Sequence, residues 1–320
     1  MKLLIIIQKK EIVSMAEKGK TRSVRLYYFK GFSNFGDLLN ENILRRFGYE
    51  AEREEFTTAE MTAVGSLLDR IIDRGNMHIN DVRRQEDALR DVPMYLWGPG
   101  FMYDYEDTDH TPVRPFIVKA LRGEISRKQL SDFMGEEVHC VLGDPGLLAP
   151  YLVPPQKKKY EVGIVPHHYD SKDERILQLK EQYPDSLLIN VKQKPEKVIR
   201  QIAQCRRIIS TSLHGVITAD AYNIPSCWCE VSDKVEGNGH KFHDYFSAFG
   251  TDREPFDLRS GRIPDPERDF SVSFGSYAEV RRKQRELVGC FPYPIPFYRR
   301  SYWIGTAFKK ARSFIKKLKH

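Results

Sequence analysis

From Tyr160 to Val231 the chain alternates short apolar runs of β type with amphipathic helical stretches, and this alternation restricts the fold more than any other feature. The strand-like run Glu161 to Val165 is followed by a helical stretch from Asp173 to Gln182 and a second run from Leu187 to Val191. A helix then spans Pro195 to Cys205, with Val198, Ile199, Ile202 and Ala203 on one side. The strand Arg207 to Ser210, the helix Leu213 to Tyr222 and the strand Ser226 to Val231 complete a βαβαβαβ order. Such an order predicts an α/β fold with a parallel sheet covered by helices on both faces.

The first half uses the same vocabulary with looser spacing: a strand at Arg25 to Phe29, a helix from Asp37 to Phe47, and strands near Tyr95, Phe116 and Val141. At 320 residues the chain exceeds what one compact core usually needs, so two α/β domains are expected, over 1–150 and 160–250. Residues 151–159, with Pro-Pro beside three lysines, read as an exposed linker. Residues 251–297 read as a closing segment with one charged helix around Tyr277 to Val288.

Composition removes several classes of function. Hydrophobic residues at 41% and aromatic residues at 12% exclude a disordered chain. The longest apolar run, Leu3 to Ile7, is far too short to span a bilayer and leads into Gln8-Lys9-Lys10 rather than a small-residue cleavage site. Five cysteines are too sparse for a disulfide framework, so a cytoplasmic protein is expected, with Cys227 and Cys229 as buried thiols and no structural metal. Of the 51 basic residues, eight lie from Arg299 onward, where no acidic residue occurs, leaving 43 against 44 acidic ones elsewhere. The body therefore has no electrostatic support for binding nucleic acid. In the tail, over 298–320, Trp303, Ile304, Ala307, Phe308, Ala311, Phe314, Ile315 and Leu318 recur at helical spacing among the cations. This pattern predicts a basic amphipathic helix that lies on an anionic membrane surface.

Three strand-to-helix junctions are rich in Gly, Ser, Asn and Asp, and in parallel sheets such junctions bind ligands. The first is Gly31 to Asn40, where Asn34, Asp37 and Asn40 offer short amide and carboxylate side chains for hydroxyl groups, although Asp37 also suits a helix first turn. The second is Trp97-Gly98-Pro99-Gly100, where glycine lets backbone approach a ligand. The third, Ser210-Thr211-Ser212-Leu213-His214-Gly215, sets hydroxyls and a histidine at a helix start that can cradle phosphate or carboxylate. His214 there is a group able to move a proton, or equally a loop cap. Of the adjacent His167 and His168, one is expected to face the site. The stretch Lys234 to Tyr245 reads as a flexible polar loop in which Lys241 offers a cation to phosphate.

Taken in order, these motifs resemble the polysaccharide pyruvyl transferases, which attach pyruvate as a ketal to sugars of bacterial surface polysaccharides. The resemblance runs from Val24 to about Gly250 through Asn34-Phe35-Gly36-Asp37 with Asn40, Ala63-Val64-Gly65-Ser66, Trp97-Gly98-Pro99-Gly100 and Leu121-Arg122-Gly123 with Ser126. It continues through Gly143-Asp144-Pro145, Pro166-His167, Ser210 to Gly215, and Gly239-His240-Lys241-Phe242 with Asp244-Tyr245. It implies a GT-B-like architecture, two Rossmann-type domains with parallel sheets facing a cleft, and phosphoenolpyruvate as donor substrate with no further cofactor. It also implies His214 and Arg122 as the catalytic pair, the arginine clamping the donor's carboxylate or phosphate. Donor contacts are expected from Ser212, Leu213, Gly215, His167, His168 and Lys241, and acceptor contacts from Asn34, Asp37, Asn40, Gly98 and Gly100. The acceptor is expected to be a polymeric or lipid-linked glycan, met on the inner face of the cytoplasmic membrane. Two other functions suit the sequence: a GT-B glycosyltransferase with a nucleotide-sugar donor, and a non-catalytic adaptor working through its basic tail.

Overall fold

The structure, a computed structural model, describes residues 22–29, 34–71, 93–105, 112 and 114–295. The basic tail and residues 31–33 of the first junction lie outside these.

The chain forms two parallel sheets. The first contains β1 (Arg22–Tyr27), β2 (Tyr49–Arg53), β3 (Met61–Thr62), β4 (Met94–Trp97), β5 (Phe116–Leu121) and β6 (Val141–Leu142), in the order β2-β1-β3-β4-β5-β6. The second contains β7 (Tyr160–Val165), β8 (Ser186–Leu188), β9 (Cys205–Ser210), β10 (Ser226–Glu230) and β11 (Phe256–Asp257), in the order β11-β10-β9-β7-β8. Every pairing between these strands is parallel. Each sheet thus begins one strand in from an edge, lays its second strand outside the first and the rest on the other side. Such an order opens a crevice beyond the carboxyl ends of the first and third strands, between β1 and β3 in one sheet and between β7 and β9 in the other.

Eight helices are seen among the described residues: α1 (Phe35–Phe47), α2 (Glu124–Met134), α3 (Ala149–Leu152), α4 (Glu174–Gln182), α5 (Pro195–Ala203), α6 (Leu213–Ala221), α7 (His240–Ser247) and α8 (Tyr277–Gly289). Their ends follow local chemistry. Asn34, in extended backbone, accepts the Gly36 N–H and starts α1, which Gly48 ends in the left-handed region. Asp173 and Ser276 cap α4 and α8 in the same way, and Pro195 opens α5 where its missing N–H costs nothing.

Three expectations are corrected. Lys234 to Tyr245 is not all loop, since α7 starts at His240 and buries Phe242, Tyr245 and Phe246 at helical spacing. Residues 151–159 are not simply exposed: Tyr151 and Leu152 belong to α3, Val153 is buried, and Lys158 Nζ donates to the carbonyls of Ala203 and Cys205. The first sheet also holds β2 and β3, which carry too few apolar residues to stand out in the sequence.

The halves are joined by more than one chain segment. The Phe35 N–H at the start of α1 donates to the Val191 carbonyl beyond β8. Helix α8 returns from the second half to the first, where Leu287 O accepts from Trp97 Nε1 and Lys283 Nζ donates to Leu142 O.

Candidate functional site

Both crevices open onto one cavity of about 300 Å³. From the first sheet come Tyr27 at the end of β1 and Phe29 beyond it, Gly65 to Leu67 beyond β3, Arg122 beyond β5 and Asp144 beyond β6. From the second come His167 to Tyr169 beyond β7 and Ser212 to His214 beyond β9. Helix α7 adds Lys241.

Side chains below the surface set the histidine turns in place. Ser210 Oγ shares its one proton between the Val165 and Ser212 carbonyls and accepts the Ser212 N–H, so it is spent on shaping the turn. Thr211 Oγ1 accepts the His167 N–H and donates to Asp170 Oδ2, while Ser232 Oγ donates to Asp170 Oδ1. Of the three hydroxyls at this junction, only that of Ser212 belongs to the cavity wall. Both His167 and His168 line the cavity, with ring centroids 4.3 Å apart, which corrects the expectation that one would face it. They sit on a turn after β7, and opposite-facing side chains belong to extended strands.

The His214 ring, on the first turn of α6, lies against Gly36 in α1, where an added Cβ would stand 2.2 Å from Nδ1. Asp37, next along, lines the same wall. Burial pushes its carboxyl up to about 7, against a hydrogen bond from Asn34 and the nearby Lys241, both of which favour the charged form. Burial likewise lowers His214 to about 3, assisted by the charges of Arg122 and Lys241, and lowers His167 to about 3.

Two cations shape the electrostatics. Arg122 is 1% exposed: Nε donates to Asp244 Oδ2 at 2.8 Å, Nη1 to Ser66 Oγ at 2.8 Å, and Nη2 to the Phe101 carbonyl. The bidentate fork expected for a donor clamp is therefore largely engaged by the protein, and two of its five N–H groups remain. Lys241 has no hydrogen bond or ion pair within the described residues and lines the cavity. Burial, reinforced by Arg122, lowers it to about 8 despite Asp37, Glu236 and Asp170.

Four expected contacts lie elsewhere. The buried Asn40 amide donates to the Asp37 and Val64 carbonyls and accepts the Val64 N–H, so it braces the loop after β3 instead of meeting an acceptor. Gly98 packs on Pro145, Gly100 on the Arg122 guanidinium and Gly215 on Ser210, and none of the three lines the cavity. Asn34, Asp37, Arg122, His167, His168, Ser212, Leu213, His214 and Lys241 all line this cavity. Sequence reasoning passed over Asp144 and Gly36, although both lay in motifs it had picked out, because a turn aspartate and a helix glycine have ordinary structural uses. It also passed over Arg70, Asp69 and Tyr103, which no motif marks, and Glu236, in the polar stretch from which it took only Lys241.

Residues 34–233 match the polysaccharide pyruvyl transferase family. The chain is 26% identical over 235 residues to the succinoglycan biosynthesis protein ExoV of Rhizobium meliloti, covering 72% of this chain and 66% of that protein. It is 32% identical over 142 residues to an uncharacterized protein of Acanthamoeba polyphaga mimivirus, covering 42% of this chain and 49% of that protein. The matches thus span about half to two thirds of these relatives' own lengths.

Proposed function

The chain belongs to the polysaccharide pyruvyl transferase family, and on that premise we propose that it moves pyruvate from phosphoenolpyruvate onto a sugar of a surface polysaccharide, or its lipid-linked precursor, as a cyclic ketal. The observation that carries this reading is Lys241, a half-buried cation that has no hydrogen bond or ion pair among the described residues and lines the same cavity as His214. A burial that costs a lysine its solvation is expected where an anion replaces that solvation. Phosphoenolpyruvate brings a phosphate and a carboxylate, which Lys241, the two remaining Arg122 N–H groups and the N–H groups at the start of α6 would hold. The relative named for succinoglycan biosynthesis supports a polysaccharide acceptor.

In ketal formation one sugar hydroxyl adds to C2 of the enol phosphate while C3 takes a proton. Phosphate then leaves, and a second hydroxyl of the same sugar closes the ring. His214, uncharged at neutral pH, takes the first hydroxyl's proton and passes it to the departing phosphate. Asp37, near half-protonated at neutral pH, gives C3 its proton and recovers one from the second hydroxyl. Two protons leave the sugar, one ends on the new methyl group and one on phosphate. In this reading the cavity is the cleft of a GT-B-like pair of domains, and the basic segment from Arg299, outside the described residues, holds the enzyme at an anionic membrane surface. No described helix is long and apolar enough to cross a membrane.

The test is incubation with phosphoenolpyruvate and candidate lipid-linked oligosaccharides, with mass spectrometry for a pyruvate increment. Nucleotide sugars run in parallel. Glycosyl transfer without pyruvate transfer would overturn the reading.

A further inference from the structure

Asp144 Oδ2 and His214 Nε2 face each other 4.0 Å apart, on side chains 1% and 11% exposed, and neither atom has a hydrogen-bond partner. Buried polar atoms are almost always paired, so two orphans in mutual contact call for an explanation. The rest of each group is accounted for. Asp144 Oδ1 accepts the Gly146 N–H at 2.7 Å, which fixes the carboxyl on the turn after β6. The opposite edge of the imidazole, with Nδ1, lies against Gly36, whose missing side chain leaves that nitrogen uncovered by a Cβ, and His214 is part of the cavity wall.

We propose that Asp144 is the positioning residue for His214: its carboxylate accepts the Nε2–H, holds the imidazole in that tautomer, and so leaves the Nδ1 lone pair to take the acceptor hydroxyl's proton. The inference rests on the pyruvyl-transfer reading for the proton's origin, but the pair itself rests on geometry. Shortening the 4.0 Å gap by about 1 Å makes a normal hydrogen bond, and such bonds are commonly long before substrate arrives. No solvent reaches either atom to compete for the contact. When Nδ1 accepts the proton, the imidazolium forms against a carboxylate, as in hydrolytic triads where a buried aspartate orients a histidine without taking its proton. Burial, with a smaller push from Asp244, raises Asp144 to about 6, and the Gly146 N–H and Arg122 oppose that rise, so the carboxyl is mainly ionised at neutral pH while His214 enters uncharged.

The experiment uses the full chain labelled with nitrogen-15 histidine. The His214 resonance is identified by its loss in His214→Gln. At pH 7 the wild-type ring should carry its proton on Nε2. In Asp144→Asn, which keeps an oxygen for the Gly146 N–H, the Nδ1–H tautomer should appear. Turnover should fall on the order of 100-fold or more, with phosphoenolpyruvate affinity unchanged within about twofold. A wild-type Nδ1–H tautomer would overturn the proposal, as would full turnover in Asp144→Asn. If that variant does not fold, the wild-type tautomer decides alone. Failure of the wild-type protein to transfer pyruvate would sink the reaction while leaving the tautomer measurement to judge the pair.

Discussion

The missing side chain at Gly36 is what allows the His214 imidazole to lie where it does. A Cβ there would stand 2.2 Å from Nδ1 and 2.6 Å from Cγ, distances that no rotation of the methyl relieves. Gly36→Ala should therefore displace the ring and cut turnover by about 100-fold, the loss expected when a reacting group moves by roughly 1 Å. Helix propensity favours alanine by about 1 kcal/mol at such a position, so the melting temperature should change by only a few degrees. Undiminished turnover in the variant would show that the ring's position does not matter. Lys241 supplies the opposite case, a residue whose presence weakens the empty protein. Its pKa of about 8 lies below the ordinary 10.5, so the folded state holds the charge at a penalty. That penalty is fully present below pH 8, where both states are charged, and vanishes as pH rises past 10.5, where both are neutral. Lys241→Met should thus melt higher than wild type at pH 7, with the difference narrowing at pH 10. It should also lose the rise in melting temperature that phosphoenolpyruvate gives the wild type. A variant that melts lower at pH 7 would contradict the sign. His214 stands out in the sequence because polar residues just beyond the strand ends of an α/β chain face its crevice, whereas Lys241 stands out only as a cation in a polar stretch that proves to begin a helix. Asn40 was misleading for a reason no sequence reveals: its amide is consumed by the Asp37 and Val64 backbone.

At the level of elements, α7 is held to the first sheet by a buried charge pair. Asp244 Oδ2 accepts from Arg122 Nε at 2.8 Å and from Ser126 Oγ at 2.6 Å, while Oδ1 accepts the Ser126 N–H at 2.7 Å. The approach is so close that a Cβ on Gly123 would lie 1.6 Å from the Asp244 carbonyl oxygen. Asp244→Ala would leave the Arg122 charge buried, 1% exposed, without its counter-ion. Removing one partner of such a pair costs about 3–5 kcal/mol, measurable as a shift of the denaturant midpoint. A loss under about 1 kcal/mol would mean that water or another group takes over the charge. The helix that carries Asp244 was hidden from sequence reasoning by Gly237, Asn238 and Gly239, which mark a loop, and by two histidines with no strong preference. The signal that remained was Phe242, Tyr245 and Phe246 at i, i+3 and i+4, the stripe that the structure buries. The strands and helices from Tyr160 to Glu230 were legible because the buried ends of the parallel strands are apolar, the crossovers α4 and α5 bury one apolar stripe each, and α6 is apolar enough to be buried on all sides. In the first half, β2 is mostly exposed and β3 has two residues, so neither leaves an apolar run to read.

Across the whole molecule, periodicity could assign strands but not the way two sheets share a core, and the structure settles that at the join. One continuous hydrophobic cluster contains Val24 and Leu26 of β1, Trp97 of β4 and Ala120 of β5. It also contains Val165 of β7, Ile208 of β9, Trp228 of β10, and Val280 and Leu287 of α8. Leu147 to Ala149 and Val153, near the expected linker, sit in the same cluster. Domains joined only by an exposed linker unfold independently, whereas a shared apolar core makes the loss of one half expose buried surface of the other. Helix α8 tightens this coupling, because it follows the second sheet in sequence while Trp97 and Leu142 of the first sheet hydrogen-bond to it. The full chain should accordingly show a single endotherm by scanning calorimetry, and phosphoenolpyruvate, held by groups from both sheets, should move that endotherm upward without splitting it. Two resolved transitions, with only one responding to phosphoenolpyruvate, would show that the halves melt separately and that the donor is held by one of them alone.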